Sequence, residues 1–346
     1  MTGPGAPIGA PESLATPPLA AVVGATASGK SDVALEVART AMSQSLAGHG
    51  DATIELVSVD SMAVYRGMDI GTAKPTRAER GRVAYHLIDV VDPDQEFTVQ
   101  QFQHAARAAV AGIQARGHGT ILVGGTGLYL RSLVDDLTFP GRFPDVAASL
   151  AAGLDAAGPE GSAGQRAALA LLHRRLVALD PVAAGRIEPT NRRRLLRALE
   201  VTVGSGRPFS SFGPGLERYP RTAVSMVGIL HDPSVLDVRI AQRFERLMDL
   251  GFLDEVRALA TRPGGLSRTA RQALGYRELL SHIEEGTPLV AAIEEAVRRT
   301  RAFARRQMAW FRRDPRIVWM SADDDLPGSI MTLLREVPSD VATMGD

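Results

Sequence analysis

Along the chain, short apolar runs alternate with stretches in which apolar residues return every three or four positions. Residues 19–23 form an apolar run that stops at Gly24, and the pattern predicts a first strand there. From Ser31 onward Val33, Ala34, Val37, Ala38 and Ala41 share one helical face. Residues 54–60 read as a second strand, rich in β-branched residues and ended by Asp60. Residues 120–123 read as a third, followed by Gly124, Gly125, Thr126 and Gly127 and then a helical stretch from Leu128. Residues 223–230 and 317–320 are further strand candidates. Strands alternating with helices imply βαβ units and a parallel sheet.

Between 139 and 208 the rhythm changes. Strand-like runs vanish, Ala and Arg rise, and two or three helices are expected. These residues read as a helical insertion in an α/β core made of 19–138 and 209–325. A long helix is expected from Pro233, capped by Asp232, with Leu236, Ile240, Phe244, Leu247 and Met248 on one face and its end near Gly251. A last helix is expected over about 288–313, with 326–346 as a C-terminal tail. Residues 1–18 are rich in Pro, Gly and Ala and lack the basic start and apolar centre of a secretory signal, so they read as a flexible leader.

Composition narrows the class. The 346 residues are 45% hydrophobic and 23% charged, the balance of a soluble globular protein with one large domain and an insertion, or two modest domains. No apolar run approaches the roughly 18–20 residues of a membrane span, so no membrane partner is expected. The absence of Cys removes disulfides, thiolate zinc sites and thiol nucleophiles, and fits a cytoplasmic protein. A net charge of +0 argues against indiscriminate coating of nucleic acid but leaves room for a local basic surface. Of the 39 basic residues only Lys30 and Lys74 are lysines, which marks both as places where a compact ammonium could be needed.

Lys30 sits in the chemistry-bearing motif. Gly24-Ala25-Thr26-Ala27-Ser28-Gly29-Lys30-Ser31 fits G-x-x-x-x-G-K-[ST] completely, with an apolar strand before it and a helix after. Backbone N–H groups of such a loop point inward, the helix N-terminus adds partial positive charge, and the ammonium reaches an outer phosphate. The Ser31 hydroxyl is a candidate Mg²⁺ ligand. The motif specifies a polyphosphate or diphosphate, not ATP. The expected fold is therefore α/β, a P-loop NTPase-like parallel sheet flanked by helices with a small inserted helical domain.

Asp60 ends the second strand at the carboxyl edge, where open α/β sheets bind ligands. By its position it is a turn cap, a metal ligand or a general base. The stretch Asp60-Ser61-Met62-Ala63-Val64-Tyr65-Arg66-Gly67-Met68-Asp69-Ile70-Gly71-Thr72-Ala73-Lys74-Pro75 closely resembles the signature of bacterial tRNA dimethylallyltransferases. So do His86-Leu87-Ile88-Asp89 and Gly124-Gly125-Thr126-Gly127-Leu128-Tyr129. The resemblance continues at Pro189-Thr190-Asn191, through 193–201, at Gln242-Arg243-Phe244 and at Ala273-Leu274-Gly275-Tyr276-Arg277-Glu278. It spans about 21–319.

The resemblance implies a prenyl transfer from dimethylallyl diphosphate to the exocyclic amine of an adenosine in a tRNA anticodon loop. It implies Asp60 as general base, Thr126 as a contact to the RNA beside the reacting adenosine, and Thr26, Lys30, Ser31 and Arg243 holding the diphosphate with Mg²⁺. It also implies tRNA contacts from Asp60, Ser61, Met62 and Ala63 and from Arg193, Arg194 and Arg197. A monomer is expected. One departure is Ala147, where the family usually carries an Arg; Arg142 is a candidate replacement. A further Arg-rich set lies at Arg298, Arg299, Arg301, Arg305, Arg306, Arg312 and Arg313, around Trp310 and Phe311, and reads equally as a solvated helix face. Arg239, one helical turn before Arg243, needs no role beyond exposed charge. The competing readings are a small-molecule or nucleotide kinase, an enzyme that prenylates free adenine nucleotides, and a non-catalytic RNA-binding protein.

Overall fold

In a computed structural model of the chain, residues 19–46, 53–213 and 215–335 are described; the expected leader, 1–18, lies outside them. The chain divides into two compact units, one from 1–134 with 221–346 and the other from 135–220.

The first unit carries six strands: β1 (Leu19–Val23), β2 (Ile54–Ser58), β3 (Tyr85–His86), β4 (Gly119–Gly124), β5 (Ser225–Leu230) and β6 (Ile317–Ser321). They form one parallel sheet in the order β3-β2-β4-β1-β5-β6. Its helices before the second unit are α1 (Lys30–Leu46), α2 (Arg77–Arg80), α3 (Val99–Ala115) and α4 (Gly127–Val134). The second unit holds α5 (Pro144–Asp155), α6 (Ala163–Leu179), α7 (Pro181–Ala184) and α8 (Arg192–Ser205), with a 3₁₀ turn at Phe209–Phe212. The first unit resumes with α9 (Pro233–Asp249), α10 (Phe252–Ala260), α11 (Arg268–Arg271), α12 (Tyr276–Glu285), α13 (Leu289–Phe311) and α14 (Leu326–Arg335).

β2 and β4 are buried along their whole length, which is why they read as mostly apolar runs rather than alternating ones, with Glu55, Ser58 and Thr120 the buried polar exceptions. The strand period of two still sorts their side chains. Ala21 and Val23 of β1 join a core with Phe102, Tyr129, Phe252, Tyr276 and Phe311. Ala20 and Val22 join the opposite core, with Ala34, Val37, Ala38 and Ala41 of α1. Helices on both faces of a parallel sheet follow.

Three expectations change. β3 has two residues, too short for a period to register, and it is held to β2 at Leu56 and Val57. The expected tail is in part α14: Leu326, Ile330, Met331 and Leu334 are buried against the α1 face of the sheet, so 326–335 belong to the core. The helical unit spans 135–220, wider than 139–208, and contains four helices. Its core is Leu150, Leu154, Leu169, Leu176, Leu195 and Leu199 with neighbouring alanines. Asp180 is 1% exposed there and accepts from the Ala183 and Ser210 amides and the Ser210 hydroxyl, which ties α7 to the 3₁₀ turn.

Candidate active site

The loop between β1 and α1 is the first part of the site. Gly29 has φ +83° and Ala27 φ +63°, and Gly24 lies where an added Cβ would stand 2.7 Å from the Ser28 hydroxyl. Side chains from α9, from α13 and from the β5–α9 connection fix the loop. Arg243 Nη1 donates to Thr26 Oγ1 at 3.0 Å, Arg239 Nε donates to the Ala27 carbonyl at 2.9 Å, and His231 Nε2 donates to the Ser28 carbonyl at 3.0 Å. Gln307 Oε1 accepts from the Thr26 amide at 2.8 Å. Lys30 Nζ donates to the Ala25 carbonyl at 3.1 Å.

The electrostatics are those of a cationic hollow. Burial pulls the Lys30 ammonium down to about 8; the Asp60 charge opposes this and Arg243 adds to it. Burial likewise lowers Arg243, again against the pull of Asp60. Two cations held away from water need an anion more than they need each other.

Asp60 follows β2, and Thr126 follows β4, the strand between β2 and β1. The two strand ends approach closely: Val59 donates to Val123 O at 2.8 Å, Thr126 donates to Val59 O at 3.2 Å, and a Cβ on Gly124 would meet the Val59 carbonyl at 2.1 Å. The Thr126 hydroxyl accepts from the Ser61 amide at 3.1 Å, and Asp60 Oδ1 accepts from the Met62 amide at 2.8 Å. Ser61 and Met62 are half-buried and Ala63 is buried. Asp60 is thus a half-buried carboxylate whose charge reaches Lys30 and Arg243. The structure brings together Gly24 to Ser31, Asp60, Thr126 and Arg243.

The loop after Asp60 is pinned at two points that spacing did not reveal. Glu255 of α10 accepts from the amides of Asp69, Ile70 and Gly71 at 2.9, 2.7 and 3.2 Å, and from the Tyr276 hydroxyl at 2.5 Å. The Lys74 side chain is 4% exposed and donates to Asp69 Oδ1 at 2.8 Å, Asp89 Oδ1 at 2.6 Å and the Tyr65 carbonyl. Lys74 is therefore an internal tie. Tyr85 of β3 was also missed. Burial first, then the Asp60 charge, holds its phenol well above the ordinary value, and the Ser31 side chain hydrogen-bonds to it.

In the second unit Arg193 and Arg194 are exposed on the first turn of α8, where Asn191 caps the helix through the Arg194 amide. Arg197 is already engaged: it donates to Glu200 Oε1 at 2.6 Å and to the carbonyls of Pro140 and Gly141 at 2.8 and 3.0 Å. Arg192 pairs with Asp155 at 2.7 Å. Ala147 lies half-buried on α5, and Arg142 is exposed before it.

Much of the C-terminal Arg set is also spent inside the first unit. Arg298 pairs with Glu295, Arg299 with Glu278, and Arg301 and Arg305 approach Asp237. Phe311 is core.

The missed residues share a cause. Gln307, His231 and Glu255 reach the backbone of Thr26, Ser28 and 69–71 from 184 to 281 positions away. No local motif records them.

The family model for IPP transferases matches residues 63–314, more than half of the chain. A tRNA dimethylallyltransferase of Kineococcus radiotolerans is 45% identical over 322 residues, covering 92% of this chain and 96% of that protein. One from a Nocardioides species is 44% identical over 314 residues, covering 90% and 93%. The crystal structure of a full-length tRNA isopentenylpyrophosphate transferase from Bacillus halodurans aligns with a TM-score of 0.62 at 33% identity, over 92% of this chain and 94% of that one. A eukaryotic dimethylallyltransferase solved acting on tRNA has a TM-score of 0.66 at 22% identity, a likeness in fold. A phosphate loop and a strand-end carboxylate on strands one apart in a single parallel sheet, in a sequence this similar to those enzymes, leave one assignment: the chain belongs to the tRNA dimethylallyltransferase family of prenyltransferases.

Proposed function

We propose that the protein transfers the dimethylallyl group of dimethylallyl diphosphate to N6 of the adenosine that follows the anticodon in tRNA, releasing diphosphate. The observation that carries this reading is the charge arrangement: Lys30 and Arg243 line an anion cradle, and both lie within electrostatic reach of Asp60.

The chemistry follows from the two partners. Adenine N6 is a weak nucleophile because its lone pair is delocalised into the ring, and it must lose a proton as it bonds to carbon. Asp60, next to Thr126, serves as the base. The allylic C–O bond breaks on the other side, so negative charge grows on the departing oxygens. The loop N–H groups, the α1 N-terminus, Lys30 and Arg243 stabilise that charge where it develops. The donor set suits Mg²⁺ held by diphosphate oxygens and water with Ser31 as its protein hydroxyl, the way Mg²⁺ sits beside substrate phosphates. When bound, the ion would share the charge of the leaving group. N6 lies on the Watson–Crick edge, so the adenosine must leave its stack to reach Asp60. Ser61, Met62, Ala63 and Thr126 border the place it would occupy. Arg193 and Arg194 would grip the RNA backbone.

The test is direct. Purified protein with Mg²⁺, dimethylallyl diphosphate and an unmodified anticodon stem-loop should add one dimethylallyl group to the RNA, read by nucleoside mass analysis. Asp60→Asn should retain diphosphate binding and lose at least a hundredfold in turnover. RNA of unaltered mass, with ATP consumed in a parallel reaction, would overturn the assignment.

A further inference from the structure

We infer that Gln307 of α13 is a positioning residue that sets the separation between the diphosphate cradle and the acceptor-side loop. This rests on the function proposed above. The residue is 8% exposed and its carboxamide is used at both ends. Oε1 accepts from the Thr26 amide at 2.8 Å, and Nε2 donates to the Gly125 carbonyl at 2.8 Å. One rigid three-atom group therefore joins the loop after β1 to the loop after β4.

Neither end has slack. A Cβ on Gly125 would stand 2.3 Å from Nε2, so the β4 loop has given up a side chain to admit the amide. One turn along α13, Trp310 packs so closely on Gly127 that a Cβ there would meet its ring at 2.1 Å. Residues 307 and 310 lie on one helix face, and between them they hold both glycines flanking Thr126. The Thr126 hydroxyl accepts from the Ser61 amide, next to Asp60. At the other end Thr26 is fixed twice, through its amide by Gln307 and its hydroxyl by Arg243. A path of hydrogen bonds, joined through the covalent backbone at Thr26 and between Gly125 and Thr126, runs from Arg243 to Ser61, the neighbour of the base. The two reacting partners enter different loops, so their distance is only as well defined as that bridge. Misplacement by an ångström costs about a hundredfold in rate. The Thr26 amide, spent on Gln307, is also not one of the N–H groups offered to the diphosphate.

Two variants separate positioning from packing. Gln307→Met keeps the length and apolar stem and removes both hydrogen bonds. Gln307→Glu keeps an acceptor for Thr26 and sets a carboxylate oxygen against the Gly125 carbonyl. Both should lower kcat about ten- to a hundredfold with both substrates saturating, while Kd for dimethylallyl diphosphate and KM for tRNA stay within about threefold. Amide exchange gives a readout independent of turnover: the Thr26 amide should be protected in the parent, exchange faster in Gln307→Met and remain protected in Gln307→Glu. Unchanged Thr26 protection in Gln307→Met overturns the inference, as does full kcat in that variant. A loss confined to substrate affinity that tracks a lowered Tm would show Gln307 to be structural filler and overturn it as well. A parent protein without turnover would defeat the function itself, and the exchange result would still decide the bridge.

Discussion

At the scale of single residues, the site stores an unfavourable charge for later use. The Lys30 ammonium is pulled to about 8 by burial, with Arg243 beside it, and only Asp60 and Asp32 oppose that. A diphosphate would restore the ammonium, so above pH 8 ligand binding should take up a proton. The Kd for dimethylallyl diphosphate should be flat below about pH 8 and weaken about tenfold per pH unit above it, until the bound-state pKa is passed. Calorimetry in buffers of different ionisation enthalpy measures that proton, and a Kd independent of pH between 7 and 9.5 would remove Lys30 from the cradle. The same depression bears on stability. A lysine lowered in the fold costs the native state fully below pH 8; the cost shrinks as pH rises from 8 and is gone near the unfolded value of 10.5. Lys30→Met should therefore raise Tm at neutral pH, by about 2 kcal/mol in stability, and abolish diphosphate binding. Lys30→Arg should bind poorly, because a planar fork replaces a compact charge. This much was legible: the G-x-x-x-x-G-K-[ST] spacing marks Lys30 before any fold is known. Lys74, its only fellow lysine, was equally conspicuous and is an internal tie, because a residue's rarity says nothing about which partners the fold brings to it.

At the scale of elements, the first unit holds together where strands meet helix ends. Glu55 on β2 is buried and gathers three partners: His86 Nε2 on β3 at 2.6 Å, His118 Nδ1 before β4 at 2.7 Å, and Nε and Nη2 of Arg116 just after α3, at 2.9 and 2.8 Å. Burial alone would raise this carboxyl; the hydrogen bonds from His86, His118 and Arg116 outweigh it and hold Glu55 down at about 2. A carboxyl depressed in the fold contributes stability that is present above its unfolded value of 4.5 and is lost as pH falls toward 2. That contribution is about 3 kcal/mol. Thermal melts of Glu55→Gln should thus lie below those of the parent at pH 7 and converge with them near pH 2.5; parallel melts across that range would show that the cluster is not holding the edge of the sheet. The element pattern itself was readable where it was long. β1 and α9 begin where the apolar runs placed them, and α9 follows its Asp232 cap. β3 was not readable, since two residues carry no period, and α14 was passed over because its apolar set begins only after the acidic stretch 323–325. Glu55 itself was invisible in sequence, an acid inside an apolar strand whose three partners come from two other places in the chain, His86 and the Arg116–His118 stretch.

At the scale of the whole molecule, the balance of charge decides how RNA can be recognised. With a net charge of +0 the protein has no general attraction for nucleic acid, so affinity must come from cations that the fold leaves unspent. Most Arg residues named from the sequence are engaged by their own unit. Arg197 braces the segment before α5 through Pro140 and Gly141, and Arg192, Arg298 and Arg299 each have a carboxylate. Arg193 and Arg194 are exposed at the start of α8, with no ion pair among the described residues, which makes them the two cations of the second unit best placed to meet phosphates. The three arginines should therefore separate in experiment. Replacing Arg193 and Arg194 together by Ala should raise KM for tRNA about tenfold at moderate salt, leave Kd for dimethylallyl diphosphate unchanged, and reduce the slope of log affinity against log salt by about two. Arg197→Ala should act differently. It removes three hydrogen bonds from a half-buried group and leaves Glu200 without its cation, so it should lower Tm before it alters the salt slope. If Arg197→Ala instead reduces the salt slope as the pair does and leaves Tm unchanged, its guanidinium leaves Glu200 for the RNA, and the division between bracing and gripping arginines is wrong.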